Sequence, residues 1–115
     1  MSLPTINLHS ALESMENDRE ILDAVVEAFI DEAPQLIQQL ETALVEGDAP
    51  AAERAAHTLK GNFRILRLAE QQTCWAEIEA RLQERSSIDD QLADALQITQ
   101  ATLDGLREYL QGSSS

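Results

Sequence analysis

The sequence predicts an all-α protein in which four long amphipathic helices form an up-down-up-down four-helix bundle, with a short extra N-terminal helix. Aromatic residues make up only 3% of the 115 residues, and no segment alternates apolar and polar residues for long, so strand signals are absent. Apolar residues instead recur at spacings of three and four through most of the chain. The short connections between these periodic stretches favour antiparallel neighbours in one bundle.

Cap residues and apolar spacing predict the first two helices. A short helix is expected over about 9–15, and Asn17 then serves as the N-cap of a long helix, with Glu20 completing a capping box. Pro34 should disturb the long helix because proline lacks an N–H donor and crowds the preceding turn, but the apolar phase continues beyond it. We therefore predict one helix, kinked near Pro34, whose apolar face comprises Ile21, Leu22, Val25, Val26, Phe29, Leu36, Ile37, Leu40 and Leu44.

The three remaining helices follow from similar signals. Gly47 is placed to end the long helix, Asp48 to cap the next one, and Pro50 to lie in its first turn. Two further helices are expected over about 68–84 and 89–110, separated by a loop at Ser86-Ser87. The apolar stripes of these three helices are Ala52, Ala55, Ala56, Leu59, Phe63 and Leu66; Leu68, Trp75, Ile78 and Leu82; and Leu92, Leu96, Leu103, Leu106 and Leu110.

Composition indicates one domain, over about 4–111, with flexible ends at 1–3 and 112–115. The formal net charge of -13 argues against nucleic acid and anionic membrane as partners, because no extended basic surface is available to neutralise phosphates. Cys74 is the single cysteine and cannot form an internal disulfide. No apolar run approaches membrane-spanning length and no signal peptide is evident, so we expect a cytoplasmic protein.

The predicted helix around His57 carries several of the few basic residues of this acidic protein, and its imidazole is expected to point outward. At about 100° per residue, His57 lies roughly opposite the apolar stripe. Arg54, Lys60, Gly61 and Arg64 surround it at helical spacings, and no acidic residue occurs between Glu53 and Glu70. Such a local positive field suits an anionic group on the imidazole or an acidic partner. The same arrangement of residues is explained equally well by a basic, solvent-exposed helix face that has no function.

The segment His57-Thr58-Leu59-Lys60-Gly61 resembles the H-x-L-K-G signature of histidine-containing phosphotransfer (HPt) domains, the four-helix bundles of bacterial and fungal phosphorelays. The resemblance extends over most of the chain, through Phe29, the 32–34 segment Glu-Ala-Pro, the Gly47-Asp48 junction, the alanines before His57, and Ile78-Glu79. On the surface face of a long helix in an acidic four-helix domain, this motif is specific.

Three positions depart from the family's pattern. Asn62 and Phe63 follow the glycine where small residues are common, and we interpret Phe63 as a packing variation because it projects onto the apolar stripe. Arg67 stands where a second glycine usually occurs, a departure that concerns the local turn geometry and not the phosphorylation site. Gln71 replaces a frequent leucine and predicts a locally looser core.

The resemblance implies a phosphocarrier. His57 would accept a phosphoryl group from the aspartate of one receiver domain and pass it to another, Lys60 would support the group electrostatically, and Gly61 would keep the imidazole accessible. Partner binding would involve Arg54, Gly61, Arg64, Glu79 and Gln83, with Glu79 and Gln83 bordering the ring. The expected partners are response-regulator receiver domains and a hybrid sensor kinase. The chain itself would need no cofactor or metal, since the receiver contributes the Mg²⁺.

The sequence disfavours two other functions. No glycine-rich phosphate loop occurs, so autonomous kinase activity is not expected. A di-metal bundle needs paired Glu-x-x-His units directed inward, whereas this chain offers only Glu53 four residues before His57, on an outward face. Two alternatives stay open: a non-catalytic bundle that binds a partner through the same basic face, and a fragment of a hybrid or chemotaxis-type histidine kinase.

Overall fold

A computed structural model describes residues 6–113, and these form five α-helices. They are α1 (His9–Ser14), α2 (Arg19–Glu46), α3 (Ala49–Ile65), α4 (Ala69–Gln83) and α5 (Asp89–Ser113). The four long helices close a ring, because α3 packs against α2 and α4 while α5 packs against α4 and α2; the short α1 contacts α2. The predicted all-α bundle with an extra N-terminal helix is confirmed.

Helix α5 extends further than the sequence predicted. It continues through Ser113 rather than ending near residue 110, so residues 112 and 113, which we expected in a flexible end, are helical. The predicted flexible segments at 1–3 and 114–115 lie outside the described residues. Within residues 6–113, no helix is both long enough and apolar enough to cross a membrane.

The start of α2 differs from the predicted capping box. Asp18, not Asn17, is the N-cap, and its side chain accepts hydrogen bonds from the backbone N–H groups of Glu20 and Ile21. Asn17 has a φ of 60°, in the left-handed region, whereas an N-cap residue needs an extended backbone such as that of Asp18. The other end of α2 is as predicted, since Gly47 adopts a φ of 72° and Asp48 caps α3 through the Ala51 N–H.

Helix α2 is continuous through Pro34, as its uninterrupted apolar phase predicted, and the kink there stays a prediction. Its face toward the core is narrower than we expected. Leu22 and Ala43 are buried, but their neighbours Ile21 and Leu44 are 49% and 36% exposed. Adjacent residues on a helix point about 100° apart, so only one of each pair faces the core. Placing Ile21 and Leu44 in the core was therefore wrong.

The apolar stripe of α3 is confirmed, since each of its six predicted residues is at most 3% exposed. Three of the six are alanines, which lets α3 approach α2 and α4 closely. Phe63 packs its ring edge-on against Phe29 of α2, with centroids 4.9 Å apart and planes at 71°. This packing fixes the rotation of α3 about its axis, so that its opposite face, with His57, is directed outward.

Two buried hydrogen bonds join α4 to α5. Trp75 donates its indole N–H to Thr99 Oγ1 at 2.9 Å, and Gln71 Nε2 donates to Thr102 Oγ1 at 3.0 Å. Gln71 is only 5% exposed, so the predicted looser core at this position is wrong: the amide fills the leucine site and is satisfied by the threonine. On α5, Ala95, Thr99 and Thr102 are buried, while Leu92, Leu96 and Leu110 are only partly so.

Candidate functional site

The imidazole of His57 lies on the outer face of α3 and is held there by a residue of α4. Its side chain is 66% exposed, as the helical projection predicted. Its Nδ1 atom lies 2.8 Å from Oε2 of Glu79, whose side chain is only 13% exposed. The predicted position of Glu79 beside the imidazole is therefore observed.

Glu79 binds two cationic or donor groups of α3 at once. While Oε2 faces His57, Oε1 accepts a hydrogen bond from Lys60 Nζ at 2.5 Å. Burial raises the pKa of the Glu79 carboxyl, but the hydrogen bonds from Lys60 and His57 outweigh burial and leave this pKa below its ordinary value of 4.5. The carboxylate is thus ionised at neutral pH. Lys60 is 26% exposed and ion-paired, not the freely exposed cation that the sequence suggested.

The ionised Glu79 determines which nitrogen of His57 carries the proton. A carboxylate can only accept hydrogen bonds, so Nδ1 must be the donor in this contact. In the neutral imidazole, Nε2 then holds the lone pair. No residue in the described part of the chain forms a hydrogen bond with Nε2. The arrangement is chemically that of an oriented, accessible nitrogen nucleophile.

The other predicted site residues lie at varying distances from this nucleophile. Arg54 lines the shallow depression beside His57 and Glu79, and Arg64 is exposed one turn beyond Lys60. A Cβ added to Gly61 would meet no heavy atom within 4 Å, so the bundle's packing does not require glycine there. Gln83 is exposed and makes no hydrogen bond to His57, because it lies one turn beyond Glu79 on α4. The structure therefore does not bring Gln83 to the ring.

Two features of the site region escaped the sequence reasoning. Asn62, the departure after Gly61, donates from Nδ2 to Oε1 of Glu32 on α2 at 3.1 Å. Arg67, which stands where a glycine is usual, adopts a φ of 58°, so the chain makes this turn in the left-handed region without glycine. Asn62 and Glu32 are 30 residues apart, and no sequence pattern predicts their contact. Among residues 6–113, no group of three or more His, Cys, Asp or Glu side chains could hold a metal ion.

The comparison with protein families agrees with this geometry. The family model described as "Hpt domain" matches residues 24–113, so the chain belongs to the Hpt domain family. Hpt domains carry out histidine phosphotransfer in phosphorelays and interact with receiver domains of response regulators. No curated protein and no solved structure gave a significant match. Helix α1 lies ahead of the matched residues.

Proposed function

We propose that this protein is a phosphocarrier that accepts a phosphoryl group on His57 from the aspartate of one receiver domain and passes it to another. The observation that carries the proposal is the contact of His57 Nδ1 with the ionised Glu79, 2.8 Å apart on an otherwise exposed ring. It leaves Nε2 as the nucleophile. A histidine that served packing alone would not be 66% exposed.

The transfer step follows from this tautomer. The Nε2 lone pair attacks the phosphorus of the receiver's aspartyl phosphate, an N–P bond forms, and the P–O bond to the carboxylate breaks. The imidazole becomes cationic as it reacts, while its Nδ1 proton stays in the hydrogen bond to Glu79, which stabilises the developing positive charge. The reverse step on another receiver returns the ring to its neutral form. Glu79 acts here as a positioning residue, because it touches the ring but not the phosphoryl group.

Lys60 and the exposed arginines would have different tasks. Lys60 is ion-paired with Glu79, so it would offset the repulsion between that carboxylate and the phosphoryl group. Arg54 and Arg64 flank His57 on the outer face of α3 and form no ion pair with any residue in the range 6–113. In a protein with 21 acidic side chains, unpaired arginines around one residue favour an acidic partner, such as the aspartate-rich pocket of a receiver.

Transfer of labelled phosphate from a phosphorylated receiver tests the proposal. The protein should take up label that is stable to alkali and lost in acid, as expected for a phosphoramidate. His57→Gln should take up none. His9→Gln is the matched control, because His9 is the chain's other histidine, is 74% exposed, and also contacts a carboxylate, that of Glu13 at 2.9 Å.

The outcomes separate the proposal from its main alternative. If receivers bind the parent protein but none of a full panel labels it, the protein is a non-catalytic binding module. If His57→Gln is still labelled while His9→Gln is not, the site assignment is wrong.

A further inference from the structure

A small recess opens between α2 and α3. Its volume is about 150 Å³, and its walls are mainly apolar, formed by Val25, Ala28, Phe29, Ile65 and Leu66. Glu32 of α2 and Asn62 of α3 complete its lining as the polar members. The recess therefore offers an apolar surface with one carboxylate beside it.

The carboxylate of Glu32 is held in position but not neutralised. Asn62 is half-buried and donates to Oε1 at 3.1 Å, which restricts where the carboxylate can lie. No Lys, Arg or His of the described chain forms an ion pair with Glu32. The departure of Asn62 from the family's small residue thus has a structural result: it orients an unpaired negative charge next to an apolar recess.

This recess lies within the area that a protein docked on His57 would cover. At a rise of 1.5 Å and a turn of 100° per residue, Asn62 lies about 7.5 Å along α3 and about 140° around it from His57, whereas the exposed Ile65 lies about 12 Å along and only about 80° around. A typical interface covers about 800 Å² on each partner, which corresponds to a radius of about 16 Å around its centre. A receiver centred on His57 would therefore reach the recess at its Ile65 edge.

We propose that the recess binds one lysine or arginine side chain of the docked receiver; this inference rests on the proposed function. The aliphatic part of such a side chain would pack against Phe29 and Ile65, and its cationic head would pair with Glu32. An acidic or purely apolar side chain would leave the Glu32 carboxylate unpaired in the interface, at a cost. Together with the arginines around His57, Glu32 gives the surface a mixed charge pattern that selects both the partner and its register.

The first test compares two substitutions on α2. Glu32→Gln removes the charge but keeps an oxygen for Asn62 to donate to, and Glu41→Gln is the matched control, exposed and nine residues along α2, hence on the opposite face. For a receiver that phosphorylates the parent protein, kcat/KM should fall about tenfold with Glu32→Gln and remain unchanged with Glu41→Gln. Equal values for Glu32→Gln and the parent would overturn the inference.

The second test identifies the partner side chain by double-mutant cycles. Each surface lysine and arginine of that receiver is replaced by alanine and assayed against both the parent and Glu32→Gln. One position should show a loss with the parent that disappears in the Glu32→Gln background. If no receiver position couples to Glu32, the recess does not bind a basic side chain.

A small-molecule donor keeps this inference distinguishable from the proposed function. Phosphoramidate needs no docking surface, so it should label parent and Glu32→Gln at equal rates. Lack of labelling at His57 in the parent by either donor would contradict the proposed function itself. Normal labelling by phosphoramidate and by the receiver, with no effect of Glu32→Gln, would contradict only the inference about the recess.

Discussion

The buried bond from Trp75 to Thr99 can be tested by Thr99→Val, which preserves the shape of the side chain but removes its oxygen. Both residues are 0% exposed, so no water can replace the lost acceptor and the indole N–H remains buried without a partner. Such an unsatisfied donor costs about 1–3 kcal/mol. For a domain of this size, about 2 kcal/mol corresponds to a decrease in Tm of roughly 8 °C. Thr73→Val, at an exposed position of α4, should change the stability by less than about 0.5 kcal/mol.

Urea and thermal unfolding followed by circular dichroism measure both values. The reasoning is sharpest in a second background, Trp75→Phe, which has no indole N–H to satisfy. There Thr99→Val should cost almost nothing, although Trp75→Phe itself destabilises through the cavity that it leaves. If Thr99→Val costs the same free energy of unfolding in both backgrounds, the loss comes from packing and the hydrogen-bond argument is refuted.

Three further predictions concern the site. Lys60→Met should slow phosphoryl transfer and lower the free energy of unfolding by about 1–2 kcal/mol, because Glu79 loses a partly buried partner. The control Arg64→Ala should leave stability unchanged and weaken only salt-sensitive association. Equal transfer rates for Lys60→Met and the parent would contradict the role of the lysine. Gly61→Glu should leave the fold intact, since no atom lies within 4 Å of an added Cβ. It should block labelling of His57 by a receiver, while phosphoramidate still labels His57. Labelling by the receiver at the parent's rate would show that docking takes place elsewhere. The pKa of Glu79 is lowered in the folded state, so the ionised carboxylate contributes stability above its ordinary pKa of 4.5, and this stability is lost as the pH falls below that value. The unfolding free energies of the parent and Glu79→Gln should therefore differ at pH 7 and converge in acid. A difference that stays constant with pH would refute the assignment.

The sequence predicts the face of α3 well because that helix has a strict pattern. Alanine, leucine and phenylalanine residues at spacings of three and four leave a single orientation, and His57 then points outward. The same reasoning fails at Ile21 and Leu44, since an apolar residue at the edge of a stripe can fall on either side of it. It also misses the burial of Thr99 and Thr102, because a hydrophobic pattern treats threonine as polar and exposed. Threonine can be buried where a donor such as the Trp75 indole N–H bonds its hydroxyl.

The contacts between helices were less predictable than the helices themselves. The resemblance placed Glu79 near His57, but its simultaneous bond to Lys60 depends on the rotation of α4, which packing of Trp75 and Ile78 determines. The contact of Asn62 with Glu32 depends in the same way on how α2 and α3 are aligned, and these residues are 30 positions apart. The turn at Arg67 shows that a left-handed residue need not be glycine, so the missing glycine did not signal a different turn.

The sharing of Glu79 between His57 and Lys60 has a consequence for how firmly a phosphoryl group would be held. Before the proposed transfer the imidazole is neutral and the formal charges of Lys60 and Glu79 cancel; the transfer adds about two negative charges on the phosphoryl oxygens and one positive charge on the ring. Lys60 is already bonded to a carboxylate, so its attraction for the new charge is largely balanced by the repulsion of Glu79. The ion pair would therefore contribute little net attraction to a phosphoryl group on His57. A group held with so little net attraction would move onward to a second receiver instead of being retained.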